Sequence, residues 1–354
     1  MRLISCTDIK ESMKAIHSIR ATSLLLLTAV LSVGCVNTDT AIIRSSRPAM
    51  TAFNRTTEPD ENQVLELIAA ERAQEEGDYE MAIRLFEDLL SQNPTMTDAY
   101  LGLGALYEES GNLIASETNY ARAARLEPRN FDAQIGHGSV LESLKRYSEA
   151  IVAYQRALAI RPMSVEANLG AADTLMAMRR PKSALRYAQA AVRLEPEDVV
   201  IRTSLATTLE QAGMLDEAIA ELEIALELDE IDEEILLQLV GAYIKAKRWQ
   251  EAVNSADTLV KIAPSAIAYE HLGRAHFRLG NSALSMKAYE DAVELDPDHW
   301  PSLNGLGVNA LNAWLRSERT DVEMALEARE AFYSSLRVNP DQPKVVEILT
   351  KYPL

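Results

Sequence analysis

The side chains best suited to covalent or metal chemistry in this sequence are two cysteines and five histidines. Cys6 and Cys35 both lie within the first 35 residues, so the rest of the chain can form no disulfide, no thiolate metal site and no cysteine nucleophile. His271 and His276 are five residues apart, which does not place them on one helix face as a metal-binding pair. His137 falls on a core-facing position of the repeat described below, where we expect a buried histidine whose hydrogen bonds are satisfied.

The sequence contains no HExxH, no GxSxG and no phosphate-binding loop, which are short motifs that mark catalytic sites. Its 53 acidic residues are numerous enough for carboxylates to lie near one another by chance on a solvated surface. We therefore expect neither an enzyme nor a bound cofactor or metal. The formal net charge of −18 argues against nucleic-acid binding, because that affinity comes mainly from neutralising phosphates with Lys and Arg.

One cysteine stands in a context with chemical meaning. An apolar run from Ala21 to Val33 follows a basic region and ends just before Cys35. As a helix this run would rise about 20 Å, short of the hydrocarbon core of about 30 Å, so it is typical of a signal peptide rather than of a membrane span. The lipobox of bacterial lipoproteins resembles the last five residues of this segment, Leu31-Ser32-Val33-Gly34-Cys35.

In that family the cysteine is acylated and becomes the first residue after cleavage. The resemblance therefore implies a signal peptide over residues 1–35, with Met13 as an alternative start, and lipidation at Cys35. A secretory signal with an incidental cysteine is the alternative. Residue 36 is Val, whereas Asp at that place retains enterobacterial lipoproteins in the inner membrane, so we expect a lipid anchor in the outer membrane facing the periplasm. Residues 36–60 are polar and are expected to form a flexible tether.

A repeat of fixed length follows the tether. Pro94, Pro128, Pro162 and Pro196 are each 34 residues apart, and the series resumes at Pro264. A 34-residue unit of two helices is typical of tetratricopeptide repeat (TPR) arrays, and residues 61–340 resemble eight such units. With the proline counted as position 32, positions 8, 20 and 27 carry mostly small residues, which allow two helices to approach closely. At position 8 these are Ala70, Gly104, Gly138, Ala172, Ala206, Val240, Gly273 and Gly307.

The resemblance implies an all-α fold, a right-handed superhelical α-solenoid of about eight TPR helix-turn-helix repeats with a C-terminal capping helix. Glycines suited to a left-handed cap fall where four of the first helices should end, at Gly77, Gly111, Gly213 and Gly280. The eighth repeat has nine extra residues around 316–321, which predicts a longer hairpin. Residues 341–354 are expected to hold the capping helix and a tail, with these side chains turned inward: Val345, Val346, Ile348 and Leu349.

In TPR arrays the first helices line the concave surface, chiefly through positions 2, 5, 9 and 12. Over the first five repeats these positions hold eight acidic residues, apolar residues at position 5, and no Lys or Arg. We interpret them as a groove for a protein or peptide partner that carries basic and apolar side chains. The alternative is a charged face that only keeps the array soluble. The candidate partner-binding residues are Glu71, Asp98, Leu101, Glu108, Asp132, Ile135, Glu142, Glu166, Leu169, Asp173 and Glu210.

The sequence thus predicts a membrane-tethered scaffold or adaptor that binds a protein partner. Repeats behind a lipobox most resemble the TPR lipoproteins of tight-adherence and type IV pilus assembly. The alternative is a structural subunit of an outer-membrane assembly or of an exopolysaccharide secretion machine.

Overall fold

The computed structural model describes residues 57–228 and 232–352. Within these ranges the chain forms seventeen helices and no strand. No helix in this part of the chain is long and apolar enough to cross a membrane. The predicted signal peptide, Cys35 and most of the predicted tether lie outside the described residues.

Sixteen of the helices form eight successive hairpins, each with an odd-numbered first helix and an even-numbered second helix. The first four hairpins comprise α1 (Glu61–Glu75), α2 (Tyr79–Gln92), α3 (Thr97–Glu109), α4 (Leu113–Leu126), α5 (Phe131–Ser143), α6 (Tyr147–Ile160), α7 (Val165–Ala177) and α8 (Pro181–Leu194). The last four comprise α9 (Val199–Gln211), α10 (Leu215–Leu228), α11 (Glu233–Lys245), α12 (Trp249–Ile262), α13 (Ala266–Leu279), α14 (Ser282–Leu295), α15 (Trp300–Arg316) and α16 (Val322–Val338). A short helix, α17 (Pro343–Lys351), follows. The expected all-α solenoid of eight repeats with a capping helix is confirmed.

Most first helices begin at a side-chain cap. Asn130, Ser164 and Asp198 precede α5, α7 and α9, and their side-chain oxygens accept hydrogen bonds of 3.0, 3.1 and 2.9 Å from the third backbone N–H of the helix. Such caps satisfy N–H groups that no carbonyl of the helix can reach. Each of these three capping residues follows the repeat proline by two residues, so the period also determines where these first helices begin.

The turn inside each of the first seven hairpins needs one residue with a left-handed backbone. Four of these residues are the predicted glycines, Gly77, Gly111, Gly213 and Gly280, and their φ angles are 80°, 77°, 84° and 83°. The other three are Lys145, Arg179 and Lys247, with φ angles of 59°, 56° and 60°. A β-carbon is unfavourable in this conformation. In these three turns the array therefore imposes a left-handed backbone conformation that the residue itself does not favour.

Where the residue at position 24 is aromatic, its ring packs between one hairpin and the next. Tyr154 of α6 lies between Gly138 of its own hairpin and Gly170 of the next. A β-carbon on Gly138 would lie 2.9 Å from Cε1 of Tyr154, and one on Gly170 would lie 2.4 Å from its Cζ. Both distances are shorter than any normal contact, so a side chain at either place would force the ring of Tyr154 to shift. Gly138 thus packs against the second helix of its own hairpin, as the register predicts, and a side chain there would meet the ring of Tyr154.

The small residues at position 20 bring the two helices of a hairpin into direct contact. The Ser116 hydroxyl donates a hydrogen bond of 2.8 Å to the carbonyl of Gly104, and Ser285 donates one of 2.8 Å to that of Gly273. Side chains at position 20 therefore reach the backbone at position 8. This closeness is possible only because both positions are small.

The last hairpin and α17 close the C-terminal end of the array. α15 and α16 have 17 residues each, whereas α5 has 13 and α6 has 14, so the extra residues lengthen both helices and their turn. Val345 of α17 is buried, and Ile348 and Leu349 pack half-buried against the same core. The inward placement of Val346 was wrong, since its side chain is 48% exposed. Residues three and four apart share a helix face with Val345, and the adjacent residue does not.

Successive first helices contact one another along much of the array. This is the case from α1 to α3, α5 and α7, and again from α11 to α13 and α15. Within the described ranges, successive second helices make no comparable contact. The first helices therefore lie on the inner, more tightly curved side, and their exposed residues line the groove.

Candidate functional site

An open cavity of about 370 Å³ lies on the inner surface between α3, α5 and α7. Its walls combine carboxylates with apolar side chains and the ring of a tyrosine from α4. Five of the predicted residues line it, Leu101, Glu108, Asp132, Ile135 and Glu166, together with Tyr120 and Ser139. These residues come from three successive repeats. The array brings them together because equivalent positions of neighbouring first helices lie side by side.

Glu108 and Tyr120 form the polar wall of this cavity. The Ser139 hydroxyl donates a hydrogen bond of 2.7 Å to Oε1 of Glu108, linking α3 to α5. Burial raises the pKa of Tyr120 well above its ordinary value, and the nearby carboxylates of Glu108 and Glu166 raise it further. The phenol therefore stays protonated, and the negative charge of the cavity remains on its carboxylates.

A second group of carboxylates adjoins the cavity on α5 and α7. The Tyr154 hydroxyl donates a hydrogen bond of 3.0 Å to Oε2 of Glu142. Desolvation raises the pKa of Glu142, and the neighbouring charge of Asp173 adds to the effect. Desolvation also raises the pKa of Asp173. Burial raises the pKa of Tyr154, and the nearby charges of Glu142, Asp173 and Glu166 raise it further, so carboxylates of both groups lie around this one tyrosine.

The chain places one of its own arginines at the edge of this surface. The guanidinium of Arg161 lies 4.1 Å from the ring centroid of Phe131, and its Nη1 lies 3.8 Å from Oδ1 of Asp132. A second open cavity, of about 540 Å³, adjoins this arginine and is lined by Met163 and Glu166 among others. Met163 is 77% exposed there. The edge of the groove thus combines an exposed apolar side chain with a carboxylate that already accepts a guanidinium.

A different pocket, of about 260 Å³, opens on the groove between α9 and α11. Leu222 stands at position 24, where the earlier repeats carry Tyr120 and Tyr154, and it forms the floor. A β-carbon on Gly241 would meet no atom within 4 Å in the described part of the chain, so this wall faces open space. Glu210 and Lys245 form an ion pair at the rim. Sequence reasoning missed this pocket, although the change from tyrosine to leucine at position 24 was a signal for it.

The histidines do not gather into a site. Nε2 of His137 lies 3.5 Å from Oε1 of Glu117, and among the described residues neither ring nitrogen has a hydrogen-bond partner. The expectation of satisfied hydrogen bonds was therefore wrong, and the same carboxylate oxygen also lies 3.2 Å from Nη1 of Arg146. Burial lowers the pKa of His137, which keeps its ring neutral. Within the described ranges, no group of three or more His, Cys, Asp or Glu side chains is placed to hold a metal ion.

Comparison with known families identifies the repeat. A tetratricopeptide repeat model matches residues 39–230, and two further tetratricopeptide repeat models match residues 209–275 and 266–299. The chain belongs to the tetratricopeptide repeat family. No curated protein matches it by sequence. As a TPR array, the chain is a scaffold for protein interactions, and TPR proteins are generally not enzymes.

Three solved structures illustrate the similarity of this TPR chain to known proteins. MamA (residue 41 to the end) from Desulfovibrio magneticus RS-1 is 21% identical over 50% of this chain and 96% of its own, with a TM-score of 0.44. Pseudomonas aeruginosa PilF is 18% identical over 58% of this chain and 93% of its own, with a TM-score of 0.48. A structure of Naa15/Naa10 bound to HypK-THB is 17% identical over 78% of this chain and 44% of its own, with a TM-score of 0.49.

The TPR groove does not unite all the predicted residues. Glu71 is exposed on α1, outside the cavities described above. Asp98 is also exposed, and its pKa is raised by desolvation and by the charge of Glu127. Glu210 forms an ion pair with Lys245 at the pocket between α9 and α11 instead. Leu169 is half-buried and packs against the central core.

Proposed function

We propose that this TPR protein is an adaptor of the bacterial cell envelope that binds a protein partner through an extended segment carrying basic side chains among apolar ones. The observation that carries the proposal is the cavity between α3, α5 and α7, where carboxylates and apolar side chains from three repeats meet. A segment of complementary charge would be attracted by the carboxylates and would bury its apolar side chains against Leu101 and Ile135.

The internal contact of Arg161 supports the chemistry of this partner. Asp132 and Phe131 already hold a guanidinium at 3.8 and 4.1 Å. A carboxylate beside an aromatic ring suits a guanidinium because the ion pair and the cation–π contact act together. Among the described residues, none that lines the cavity is basic. Arg161 already pairs with Asp132 at the edge, so the basic side chain of the partner is directed to Glu108 and Glu166, which form no ion pair with a Lys or Arg in the described part of the chain.

The groove proposal is tested with short synthetic peptides composed of Lys and Leu, compared with peptides of Glu and Leu. We expect the Lys/Leu peptides to bind the full chain with an affinity that falls as salt rises, since exposed charges are screened. The isosteric double variant Glu108→Gln/Glu166→Gln should weaken this binding at least about tenfold, because each interfacial charge pair is worth one or more kcal/mol.

The matched control changes two exposed acids of second helices, Glu80→Gln/Glu217→Gln, and should leave binding unchanged. Melting temperature is measured for every variant, so that a loss of fold is not taken for a loss of binding. Equal affinities for wild type and the Glu108/Glu166 variant would rule out this cavity as the binding site.

We further propose that Cys35 anchors the array by lipid to the outer membrane, facing the periplasm, and that the adaptor serves pilus or secretion-system assembly. The lipobox-like sequence before Cys35 supports the anchor. Cys35→Ala should abolish incorporation of radiolabelled palmitate and release the protein from the membrane fraction or leave its signal peptide uncleaved. A wild-type protein that carries no label and is wholly soluble would contradict the anchor. Stable inclusion in an outer-membrane or exopolysaccharide secretion complex that persists in the Glu108/Glu166 variant would favour the structural-subunit alternative.

A further inference from the structure

The pocket between α9 and α11 differs in chemistry from the rest of the groove. Its floor is formed by Leu222 and Ala206, which are buried at 3% and 1% exposure. Thr207 and Gln238 contribute neutral polar groups to the walls. The charges at its rim, Glu210 and Lys245, neutralise each other as an ion pair.

The neighbouring repeats show what fills the equivalent space. In the second and third repeats, Tyr120 and Tyr154 occupy position 24 and lie directly against the following glycine, Gly136 or Gly170. Their rings pass under the groove, and the Tyr154 hydroxyl reaches a groove carboxylate, Glu142, at 3.0 Å. At both junctions an aromatic ring from within the chain thus occupies the place that Leu222 takes between the fifth and sixth repeats, and the ring of Tyr120 forms part of the wall of the acidic cavity.

At the junction of the fifth and sixth repeats, the filling is incomplete. Leu222 is shorter than tyrosine. Gln238 occupies the position that Gly136 and Gly170 occupy in earlier repeats. Because Leu222 and Gln238 both still line an open pocket, Gln238 does not fill the space that the shorter leucine leaves. The remaining wall is formed by Gly241, which has no side chain to fill the space. A β-carbon there would meet no atom within 4 Å among the described residues. The pocket thus has an apolar floor, walls with neutral polar groups and a rim without net charge.

We propose that this pocket binds an aromatic side chain, tyrosine or phenylalanine, of the partner segment. The inference rests on the proposed groove function and adds a second determinant to it. Basic side chains of the segment face the acidic cavity of repeats two to four, and an uncharged aromatic side chain inserts between α9 and α11. A charged side chain is disfavoured there because it would lose hydration without meeting an unpaired opposite charge.

The pocket is tested first with p-cresol and toluene, the side-chain analogues of tyrosine and phenylalanine, on the methyl-labelled full chain. We expect saturable NMR shifts centred on the methyl groups of Leu222 and Ala206. Two variants should weaken this binding at least about tenfold, since both fill the apolar space. Gly241→Leu fills it from α11. The double variant Leu222→Tyr/Gln238→Gly recreates the tyrosine–glycine pair seen at Tyr154 and Gly170.

These variants remain informative because the fold accommodates them. Gly241→Leu adds a side chain where space is open, and the double variant copies a junction that the array already contains, so both should keep a melting temperature close to wild type. Shifts that do not saturate, that centre elsewhere, or that are equal in wild type and both filled variants would overturn the proposal.

A second measurement separates the pocket from the acidic cavity. Lys/Leu peptides ending in tyrosine or phenylalanine should bind more tightly than the same peptides ending in alanine, and Leu222→Tyr/Gln238→Gly should abolish this preference. Glu108→Gln/Glu166→Gln should weaken all the Lys/Leu peptides and leave p-cresol binding unchanged. Equal affinity of aromatic and alanine peptides would overturn the pocket while the groove function stands. If no peptide binds, the groove function fails and p-cresol alone decides the pocket.

Discussion

Asp173 illustrates how an ionised side chain of the groove can lower the stability of the folded chain. Its side chain is exposed on the inner surface near Glu142, and the helices around it still desolvate the carboxylate enough to raise its pKa above the ordinary value of 3.8. A raised pKa means that ionisation is less favourable in the folded chain than in the unfolded chain. At neutral pH the charged Asp173 therefore lowers the free energy of unfolding, and this penalty disappears once both states are protonated. Binding sites commonly retain such locally unfavourable groups.

We expect Asp173→Asn to raise the melting temperature at pH 7. The gain should shrink as the pH falls through the raised pKa of Asp173 and should vanish below the ordinary value of 3.8, because the wild-type carboxyl is then neutral in both states. The measurement is a series of thermal unfolding curves between pH 7 and pH 3. Asp88→Asn, at an exposed position of α2 beyond its first turn, serves as the control and should not change the melting temperature. A lower melting temperature for Asp173→Asn at pH 7 would contradict this account.

The glycines of the helices differ in what surrounds them, and a matched pair of substitutions measures the difference. A β-carbon on Gly138 would lie 2.9 Å from the ring of Tyr154, whereas one on Gly241 would meet no atom within 4 Å in the described chain. Gly138→Leu should therefore cost about 1–3 kcal/mol, as overpacking of a core typically does. Gly241→Leu should cost nothing, because leucine also favours the helix over glycine. Chemical denaturation of both variants decides the point, and similar losses from both would refute the packing of Gly138 against Tyr154.

At the scale of elements, the turn residue of each hairpin shows that position in the array outweighs local preference. Lys145, Arg179 and Lys247 adopt the left-handed conformation that glycine adopts in the other turns. All three are basic and lie just after the end of a first helix. A positive side chain is favourable there because it faces the negative end of the helix dipole.

Exchanging residues between two such turns should move stability in opposite directions. Gly213→Lys should lower the free energy of unfolding by about 1 kcal/mol, since a side chain is then forced into the left-handed region. The cost is purely one of the backbone, as a β-carbon on Gly213 would touch no described atom within 4 Å. Lys247→Gly should raise stability by about 0.5–1 kcal/mol for the converse reason. Urea unfolding measures both, and a change of the same sign in both variants would mean that the backbone conformation is not the cause.

The junctions between hairpins conserve volume along the array. Position 6 is glycine wherever the preceding position 24 is aromatic, as at Phe86 and Gly102 or at Tyr289 and Gly305. Where position 24 is Leu or Ala, position 6 is larger, and the three such pairs are Ala188 with Ser204, Leu222 with Gln238, and Ala256 with His271. A large residue on one helix is thus matched by a small one on the next, as close packing requires. The pocket at Leu222 lies at one of the junctions where this exchange occurs.

At the scale of the whole molecule, the array is a chain of nearest-neighbour contacts with two unlike ends. The C-terminal end is closed by α17, whose Val345 is buried against the last hairpin. In repeat proteins each unit is stabilised mainly by its neighbours, so loss of a terminal contact should loosen the adjacent unit first.

Two adjacent substitutions in α17 test this organisation. Val345→Asp places a carboxylate in the buried contact and should speed amide hydrogen exchange in α15 and α16 by at least about tenfold, because a buried unpaired charge opposes docking of the cap. The central helices α5 to α8 should keep their protection. Val346→Asp, at a position that is 48% exposed, should change neither region. Uniform acceleration along the whole chain would mean that the array unfolds as one cooperative unit instead.

The net charge of the chain also acts at this scale. With a formal charge of −18, the array as a whole attracts basic partners and repels acidic ones. Local carboxylates then decide where such a partner binds. The net charge attracts a basic partner to the whole molecule, whereas the arrangement of Glu108, Asp132 and Glu166 around one cavity provides a specific binding site.

The sequence by itself determined the features that recur with the 34-residue period. Helix starts, the four glycine turns, the small positions and the longer last hairpin all follow from local rules of helix capping and packing, and these rules act within one repeat or between neighbours. The acidic and apolar positions of the groove were also visible, because equivalent residues of an array must lie on the same face. Local rules and repetition are therefore enough to predict the fold.

Tertiary structure alone decided how side chains of different repeats meet. It placed five predicted residues around one cavity and left Glu71 and Asp98 outside it. It also left the ring of His137 without a hydrogen bond and opened a pocket at Leu222. These outcomes depend on how closely the helices of neighbouring repeats pack and on which side chains meet there, as where Arg146 and His137 both approach Glu117. A periodic pattern specifies which face a residue occupies, but the space and the partners available on that face depend on how the neighbouring helices pack.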